Sequence, residues 1–189
     1  FGRVFVRASG TRLWDSEGRE YLDMLSGCGS VNLGYNNPDL IAAAEASLRS
    51  QLPSFLQIAP GVEAGLLAEA LAARLPPELS RAFFCNSGAE AVEACLKFAR
   101  RYWHAQKAPR PGLVAFDHSF HGRTMGALSV TWDDHYRAPF APLLPGVEFV
   151  SPNDPDALLA AVTEATGAII LEPLQGEGGV RPFSQRMAD

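Results

Sequence analysis

From residue 81 onward, short apolar runs alternate with stretches in which apolar residues recur every three or four positions. The short runs predict buried strands, and the longer period predicts helices from about Gly88 to Trp103 and from Pro155 to about Glu164. The predicted strands comprise residues 81–85, 113–116, 148–150 and 168–171. Strands separated by helices are typical of βαβ units and of a parallel sheet.

The pattern before residue 52 is different. Three short runs predict strands at residues 4–6, 12–14 and 20–23, and the turn-forming residues 15–18 connect the second strand to the third. Residues 26–30 predict a flexible loop, and Pro38 begins a helix. A connection marked by Pro53 and Pro60 leads to a second helix that ends at Pro76. We therefore predict an α/β protein with an N-terminal strand and helix segment (1–52) and a larger, mainly parallel domain (53–189).

Composition limits the function classes. Hydrophobic residues make up 47% of the chain and the net charge is −5, which argues against nucleic acid or an anionic membrane as a partner. No apolar run is long enough to cross a bilayer, and no signal-peptide pattern opens the chain. Cys28, Cys85 and Cys95 form no CxxC pair, so we expect reduced cysteines, no metal site and a cytoplasmic location.

The turn after the first predicted strand of the sheet carries the strongest chemical signal. Asn86, Ser87, Gly88 and Ala89 lead directly into a helix. One interpretation is a capping box, with Ser87 as the N-cap and Glu90 three residues later. The other is an anion site, because helix N-termini present unpaired N–H groups and Gly88 lets an anion come close. The two interpretations are compatible.

Two further strand ends carry glycines and polar side chains. Residues 117–124 follow the strand at 113–116, and residues 172–179 follow the strand at 168–171. Ligands of open α/β sheets bind at the carboxyl ends of the strands. The convergence of these three loops therefore predicts one site.

Each candidate side chain also has a structural interpretation. Phe120 could pack in the core or offer a stacking face, and His121 could be a hydrogen-bonded structural histidine. Arg123 could be a solvated charge or could pair with a carboxylate or phosphate. Glu172 precedes a proline and could be no more than the residue that ends a strand. Glu177 lies between glycines, where a charge contributes little to stability, so it favours function.

Three motifs together resemble the class III aminotransferases, which use pyridoxal phosphate and have the type I fold. They are residues 84–100 (FCNSGAEAVEACLKFAR), 119–124 (SFHGRT) and 171–180 (LEPLQGEGGV). Weaker similarity is present at residues 13–23, 32–38 and 138–146. The resemblance is strongest to the ornithine, acetylornithine, 4-aminobutyrate and putrescine aminotransferases.

The resemblance assigns roles to these residues. It implies that Ser87, Gly88 and Ala89 bind the cofactor phosphate through backbone amides. It also implies that Phe120 stacks on the pyridine ring and that His121 lies beside it.

Three acidic or basic residues receive roles from the same resemblance. Glu172 would support the polar network under the ring, and Arg123 would hold a substrate carboxylate. Glu177 would match a loop glutamate that pairs with an arginine and switches between amino donors. The implied reaction transfers an amino group from an amino acid or ω-amino donor to a 2-oxo acid such as 2-oxoglutarate.

Two features depart from the family pattern. Tyr35 stands where the family usually has histidine. The family's Schiff-base lysine and its pyridinium aspartate come after the Gly-Gly-Val loop, and neither is expected within these 189 residues; Lys97 and Lys107 are not convincing substitutes. We therefore expect the N-terminal half of an aminotransferase, inactive alone, that assembles as a homodimer or with a complementary half-chain.

Two alternatives remain open. The chain could be a non-catalytic module that binds a phosphate ligand or a protein. It could also be a hydrolase with Ser87 as nucleophile and His118 or His121 as base, although the G-x-S-x-G elbow is absent.

Overall fold

The computed structural model describes residues 2–53 and 59–188. The chain divides into two compact units, Phe1–Ala82 and Phe83–Asp189. The division therefore comes after Ala82, whereas the sequence pattern placed it after residue 52. Residues 54–58, within the predicted connection between Pro53 and Pro60, lie outside the described residues.

The first unit contains a three-stranded antiparallel sheet. Its strands are β1 (Phe5–Ser9), β2 (Arg12–Asp15) and β3 (Glu20–Leu22), in that order across the sheet. The predicted turn between β2 and β3 is present, because the N–H of Gly18 donates to the carbonyl of Asp15 at 3.0 Å and Gly18 has a φ of +81°. The buried Asp15 carboxylate accepts the backbone N–H groups of Glu17 and Arg19 at 3.0 and 2.9 Å.

Three helical segments complete the first unit: α1 (Ser26–Gly29), α2 (Pro38–Arg49) and α3 (Val62–Ala72). The Asn37 side chain caps α2 by accepting from Asp39 N. The predicted loop at residues 26–30 contains α1, whose backbone dihedrals are not those of a right-handed helix, and its flexibility stays a prediction. α1 is a single turn with φ between 52° and 81° at Ser26, Gly27, Cys28 and Gly29, fixed because Asp23 accepts the N–H groups of Leu25 and Ser26.

Tyr35, the residue that departs from the family pattern, lies in the first unit. It forms an isolated β-bridge with Gly10, with N–O distances of 2.9 and 2.8 Å. Its hydroxyl is hydrogen-bonded to the Asp23 carboxylate, and this bond raises the pKa of Tyr35 above its usual value. Tyr35 therefore ties the chain before α2 to the β1–β2 turn.

The second unit is built on a parallel sheet, as predicted. It contains β4 (Gly112–Phe116) in the centre, β5 (Val147–Val150) on one side and β6 (Thr166–Ile169) on the other. The connections carry α4 (Gly88–Ala105), α5 (Met125–Ser129), α6 (Asp134–Arg137), a 3₁₀ turn (Ala138–Phe140) and α7 (Pro155–Ala161). After β6 come β7 (Leu174–Gln175), β8 (Arg181–Pro182) and α8 (Gln185–Ala188).

The core of the second unit lies on both faces of β4, because successive strand residues point to opposite faces. Leu113 and Ala115 pack with Leu96 of α4 and with Val130. Val114 and Phe116 pack with Val150 and with Ala161 of α7. The sheet is therefore covered by helices on both sides, which is typical of parallel sheets.

The prediction of a strand at residues 81–85 is wrong for the described chain. The described sheet has the order β5-β4-β6, and residues 81–85 pair with none of these strands. Phe83 is 68% exposed and instead places its ring edge-on to Phe98 of α4, with a centroid distance of 5.3 Å.

Two element ends also differ from the predictions. α7 ends at Ala161 rather than near Glu164, because Val162 is extended and the N–H of Thr163 donates to the Thr166 hydroxyl. β6 begins and ends two residues earlier than predicted, since the chain turns away before Pro173, which has no N–H to donate. Across the described residues, no helix is both long enough and apolar enough to span a bilayer.

Candidate functional site

The N-terminus of α4 combines a helix cap with free backbone donors. The Ser87 hydroxyl accepts the N–H of Glu90 at 3.2 Å, and the Glu90 carboxylate accepts the N–H of Asn86 at 2.7 Å. The reciprocal bond of a capping box thus falls one residue earlier than usual. Within the described part of the chain, the N–H groups of Ser87, Gly88 and Ala89 have no acceptor, so they are available to an anion.

The loop after β4 packs directly on this turn. Gly122 has a φ of +124°, and a Cβ there would lie 2.8 Å from the Cβ of Ala89 and 3.1 Å from that of Ala127. A side chain at position 122 would therefore separate the loop from the helix start. The absence of a side chain places the anion-binding turn and residues 119–124 next to each other.

Glu93, one turn into α4, holds the end of the same loop. Its Oε1 atom accepts the Thr124 hydroxyl at 2.6 Å and the N–H groups of Gly126 and Ala127 at 2.8 and 3.2 Å. Burial alone would raise the pKa of Glu93, but these three donors, together with Lys97, bring it below its usual value. The ionised carboxylate thus caps α5 from the side of α4.

The loop after β6 meets the loop after β4 at three points. The N–H of Phe120 donates to Glu172 at 2.8 Å, and the amide of the buried Gln175 donates to the Asp117 carbonyl at 2.8 Å. A Cβ on Gly178 would lie 2.5 Å from the His118 carbonyl oxygen, so glycine allows this close approach. Glu172 therefore fixes the backbone at Phe120.

A cavity of about 160 Å³ lies where these loops meet. Phe120 and Tyr136 form part of its apolar wall, and their rings meet edge to face at 6.0 Å. Glu177 and Asp133 add carboxylates. The remaining lining residues are His118, Ser119, Thr131, Trp132 and Gly178.

His121 lies beneath the site rather than in the wall of this cavity. It is 8% exposed, and its backbone N–H donates to the Thr131 hydroxyl at 2.9 Å. Its Nε2 atom is buried and meets no hydrogen-bond partner among the described residues. Burial lowers the pKa of His121, although the charge of Glu172 opposes this effect, so the neutral ring is favoured.

Arg123 is exposed and stacks on Tyr136, with its guanidinium carbon 4.1 Å from the ring centroid. None of the carboxylates in the described chain is paired with it. Its five N–H donors are thus open to a ligand carboxylate. Arg123 does not itself line the cavity, but it contacts Tyr136, which does.

The structure brings most of the predicted residues together. Phe120 and Glu177 share the cavity wall, Glu172 accepts the backbone N–H of Phe120, and Arg123 stacks on Tyr136. The turn at Ser87–Ala89 does not line this cavity and is joined to it by the contact between Gly122 and Ala89.

Sequence reasoning missed three residues of this region. Glu93, Thr131 and Tyr136 each make contacts with residues that are distant in sequence, and the sequence gives no local signal for such contacts. The acidic residue at position 93 falls on the helix face next to Ala89, which could have suggested that it reaches a neighbouring loop.

The residues present fit a phosphorylated ring compound. The free N–H groups at the start of α4 suit a phosphate, and a Cβ at Gly88 would meet nothing within 4 Å, so that surface is open. Phe120 offers an aromatic ring at the cavity wall, where a ligand ring can stack.

Comparison with known proteins agrees with this description. Residues 1–188 match the family Aminotransferase class-III. The chain is 41% identical over 184 residues to an acetylornithine aminotransferase of Methanopyrus kandleri, a match that covers 96% of this chain and 45% of that protein. It is 46% identical over 189 residues to a putrescine aminotransferase of Pectobacterium atrosepticum, with 95% of this chain and 39% of that protein covered.

Solved structures give the same result. An (S)-enantioselective omega-transaminase from Thermomicrobium roseum superposes with a TM-score of 0.89 at 30% identity, covering 98% of this chain and 46% of that one. An adenosylmethionine-8-amino-7-oxononanoate aminotransferase from Methanocaldococcus jannaschii gives a TM-score of 0.92 at 26% identity, covering 100% of this chain and 45% of that one.

The chain therefore belongs to the class III aminotransferases and has the α/β fold of pyridoxal phosphate-dependent transaminases. The cofactor of this family is pyridoxal 5′-phosphate. The chain spans less than half the length of the relatives it matches.

Proposed function

We propose that these residues form the phosphate-binding and ring-stacking side of an aminotransferase site, in a protein that transfers an amino group from a carboxylate-bearing donor to a 2-oxo acid. The observation that carries this proposal is that the loops after β4 and β6 meet at one cavity, while the loop after β4 also packs on the free amides at the start of α4. The free amides at Ser87–Ala89, the Phe120 ring and the unpaired Arg123 guanidinium lie on connected loops of one compact unit.

Each residue has a defined task in this proposal. The amides of Ser87, Gly88 and Ala89 bind the phosphate, where the helix dipole favours negative charge. Phe120 stacks on the ring, and Glu172 fixes the backbone that carries Phe120. When bound, pyridoxal phosphate withdraws electrons from the carbon that bears the donor's amino group.

The substrate side of the proposal rests on charge. Arg123 can pair both oxygens of a carboxylate through its planar fork and so orient the donor before reaction. Glu177 and Asp133 in the cavity wall leave a negative region suited to the donor's amino group. A donor with both groups, such as ornithine, acetylornithine or 4-aminobutyrate, fits this pair of charges, with 2-oxoglutarate as acceptor.

The test compares donors in the complete polypeptide to which these residues belong. Arg123→Lys keeps the charge but removes the fork, so kcat/KM for ornithine should fall at least tenfold while that for putrescine changes little. Arg110→Lys is the matched control, since Arg110 also stacks on an aromatic ring, that of Trp103, at 4.0 Å. Equal losses for both donors, or a wild type that prefers putrescine, would contradict the assignment.

We further propose that the 189 residues alone do not transaminate. The chain contains two lysines, and neither Lys97 nor Lys107 lines the cavity with Phe120. After incubation with pyridoxal phosphate and reduction with borohydride, mass spectrometry should find no stoichiometric adduct at either lysine. A full adduct at one of them would overturn this part of the proposal.

Assembly is also a proposal. The outer edges of β5 and β6 pair with no described strand, and Phe83, Phe84 and Leu171 are 68%, 45% and 46% exposed. Unpaired edges and apolar surface favour association with a second copy or a complementary half-chain. Sedimentation velocity should show species heavier than a monomer, and a compact, stable monomer would argue against it. The cytoplasmic location stays a prediction.

A further inference from the structure

Tyr136 occupies a position that neither the motifs nor the comparisons assign to any task. It lies in α6, and its ring touches two residues of the loop after β4 at once. One contact is edge to face with Phe120 at 6.0 Å, and the other is the Arg123 guanidinium, 4.1 Å from the ring centroid. Tyr136 is half-buried and also lines the cavity.

The helix that carries Tyr136 is anchored independently of the loop. Asp133 caps α6 by accepting the N–H of His135 at 2.8 Å. Arg137 places its guanidinium carbon 4.7 Å from the centre of the Phe149 ring in β5 and donates to the Trp132 carbonyl at 3.4 Å. The backbone that carries Tyr136 is therefore anchored by contacts that involve neither Phe120 nor Arg123.

Arg123 depends on this ring for its position. Among the residues that the structure describes, the guanidinium has no carboxylate partner and no hydrogen bond, and its contact is the face of Tyr136. An arginine on a glycine-containing loop would otherwise sample many rotamers. A cation over an aromatic face is attracted to it, most strongly where water is displaced.

We propose that Tyr136 is a specificity-determining residue that fixes the spacing between the stacking ring of Phe120 and the carboxylate-pairing group of Arg123. This inference rests on the proposed function, because that function places the reacting amino end near Phe120 and the carboxylate at Arg123. The distance between the two groups then selects the length of the donor. Tyr136 acts through Arg123 and Phe120, so it is a positioning residue.

The experiment compares Tyr136→Leu with Tyr136→Phe in the complete polypeptide. The donors are β-alanine, 4-aminobutyrate, 5-aminovalerate and 6-aminohexanoate, with putrescine as a donor that has no carboxylate. Tyr136→Leu should raise KM for the preferred ω-amino acid about fivefold, because loss of one exposed cation–π contact weakens binding by about that factor. The variant should leave kcat unchanged. The KM values of this variant should differ less among ω-amino acid donors of different length, and its KM for putrescine should stay within about twofold of wild type. Tyr136→Phe, which keeps the ring, should retain the wild-type profile.

A control and a second readout separate this inference from the proposed function. Tyr102→Leu removes an exposed tyrosine that contacts Trp103 on the far part of α4, and it should leave the profile unchanged. Glutarate has two carboxylates and no amino group, so its binding by calorimetry reports on Arg123 without any reaction. Tyr136→Leu should weaken glutarate binding about fivefold.

The outcomes are distinguishable. If wild type transfers no amino group from any donor but binds glutarate in a way that depends on Tyr136, the proposed function fails and the positioning of Arg123 stands. If wild type is active and Tyr136→Leu keeps the wild-type length profile and glutarate affinity, the inference about Tyr136 is overturned. Failure of wild type to bind glutarate also overturns it.

Discussion

Removal of the half-buried Glu93 carboxylate should destabilise the second unit more than removal of any exposed charge in α4. One oxygen of Glu93 accepts three hydrogen bonds from Thr124, Gly126 and Ala127. A hydrogen bond to a charged group contributes about 1.5–3 kcal/mol, and bonds that share one oxygen do not add in full. Glu93→Ala should therefore lower the free energy of unfolding by about 3 kcal/mol.

The Glu93→Gln variant separates hydrogen bonding from charge. Its amide oxygen can still accept from the same donors, but it carries no negative charge at the start of α5. We expect this variant to lower the free energy of unfolding by about 1 kcal/mol, which is the typical contribution of a negative charge near a helix N-terminus. Glu164→Gln is the matched control, because Glu164 is exposed and follows α7 without a hydrogen bond or ion pair to the described residues.

The assay is urea denaturation of the 189-residue chain at several pH values, monitored by circular dichroism. The pKa of Glu93 is lowered in the folded state, so its stabilisation is present above its usual value of about 4.5 and is lost as the pH falls through the folded-state value. The difference between wild type and Glu93→Gln should shrink in that acidic range. A loss below about 0.5 kcal/mol for Glu93→Ala, equal to that of Glu164→Gln, would refute the argument.

Two further predictions test the packing of the site. Gly122→Ala should lower the free energy of unfolding by about 2 kcal/mol or more, because the new Cβ meets Ala89 and Ala127 at a φ of +124°. The control Gly176→Ala places a Cβ where nothing lies within 4 Å, so it should lower the free energy of unfolding little. Equal effects of the two variants in urea denaturation would contradict the close approach at Gly122. Because the pKa of His121 is lowered in the folded state, the neutral ring contributes fully to the free energy of unfolding above a pH of about 6.5. This contribution is lost as the pH falls through the folded-state pKa. The free energy of unfolding of His121→Gln should therefore change less between pH 7 and pH 5 than that of wild type. The control His104→Gln, at an exposed position, should keep the wild-type pH dependence. An unchanged pH dependence in His121→Gln would contradict a buried neutral ring at position 121.

Periodicity predicted the elements that depend on local pattern. α4 shows the helical repeat over its whole length, and the plain apolar residues 113–116 form the buried central strand β4. The segment 81–85 has the same apolar character but lies outside the described sheet. Apolar character alone does not determine a strand, because a strand also needs backbone hydrogen bonds to a neighbouring strand.

The candidate site residues were predicted from loops that follow predicted strands, a rule that depends only on chain order. The loops at residues 117–124 and 172–179 do follow β4 and β6, whereas the segment before Ser87 is not a described strand. The residues that hold the site together were not predictable in this way. Glu93 reaches Gly126 across 33 residues, and Tyr136 reaches Phe120 and Arg123 from a separate short helix. Such contacts depend on how elements pack, which a single sequence does not encode in any local pattern.

The position of Trp132 gives the protein an intrinsic optical probe. Its indole is half-buried in the cavity wall and lies 4.3 Å from the ring of His118. The chain has two other tryptophans: Trp14 in the first unit, and Trp103, whose indole N–H donates to Gly167 in β6. A variant in which both are phenylalanine would emit from Trp132 alone. Any ligand that displaces water from the cavity should then shift this emission to shorter wavelength, so occupancy can be titrated without a label and without turnover.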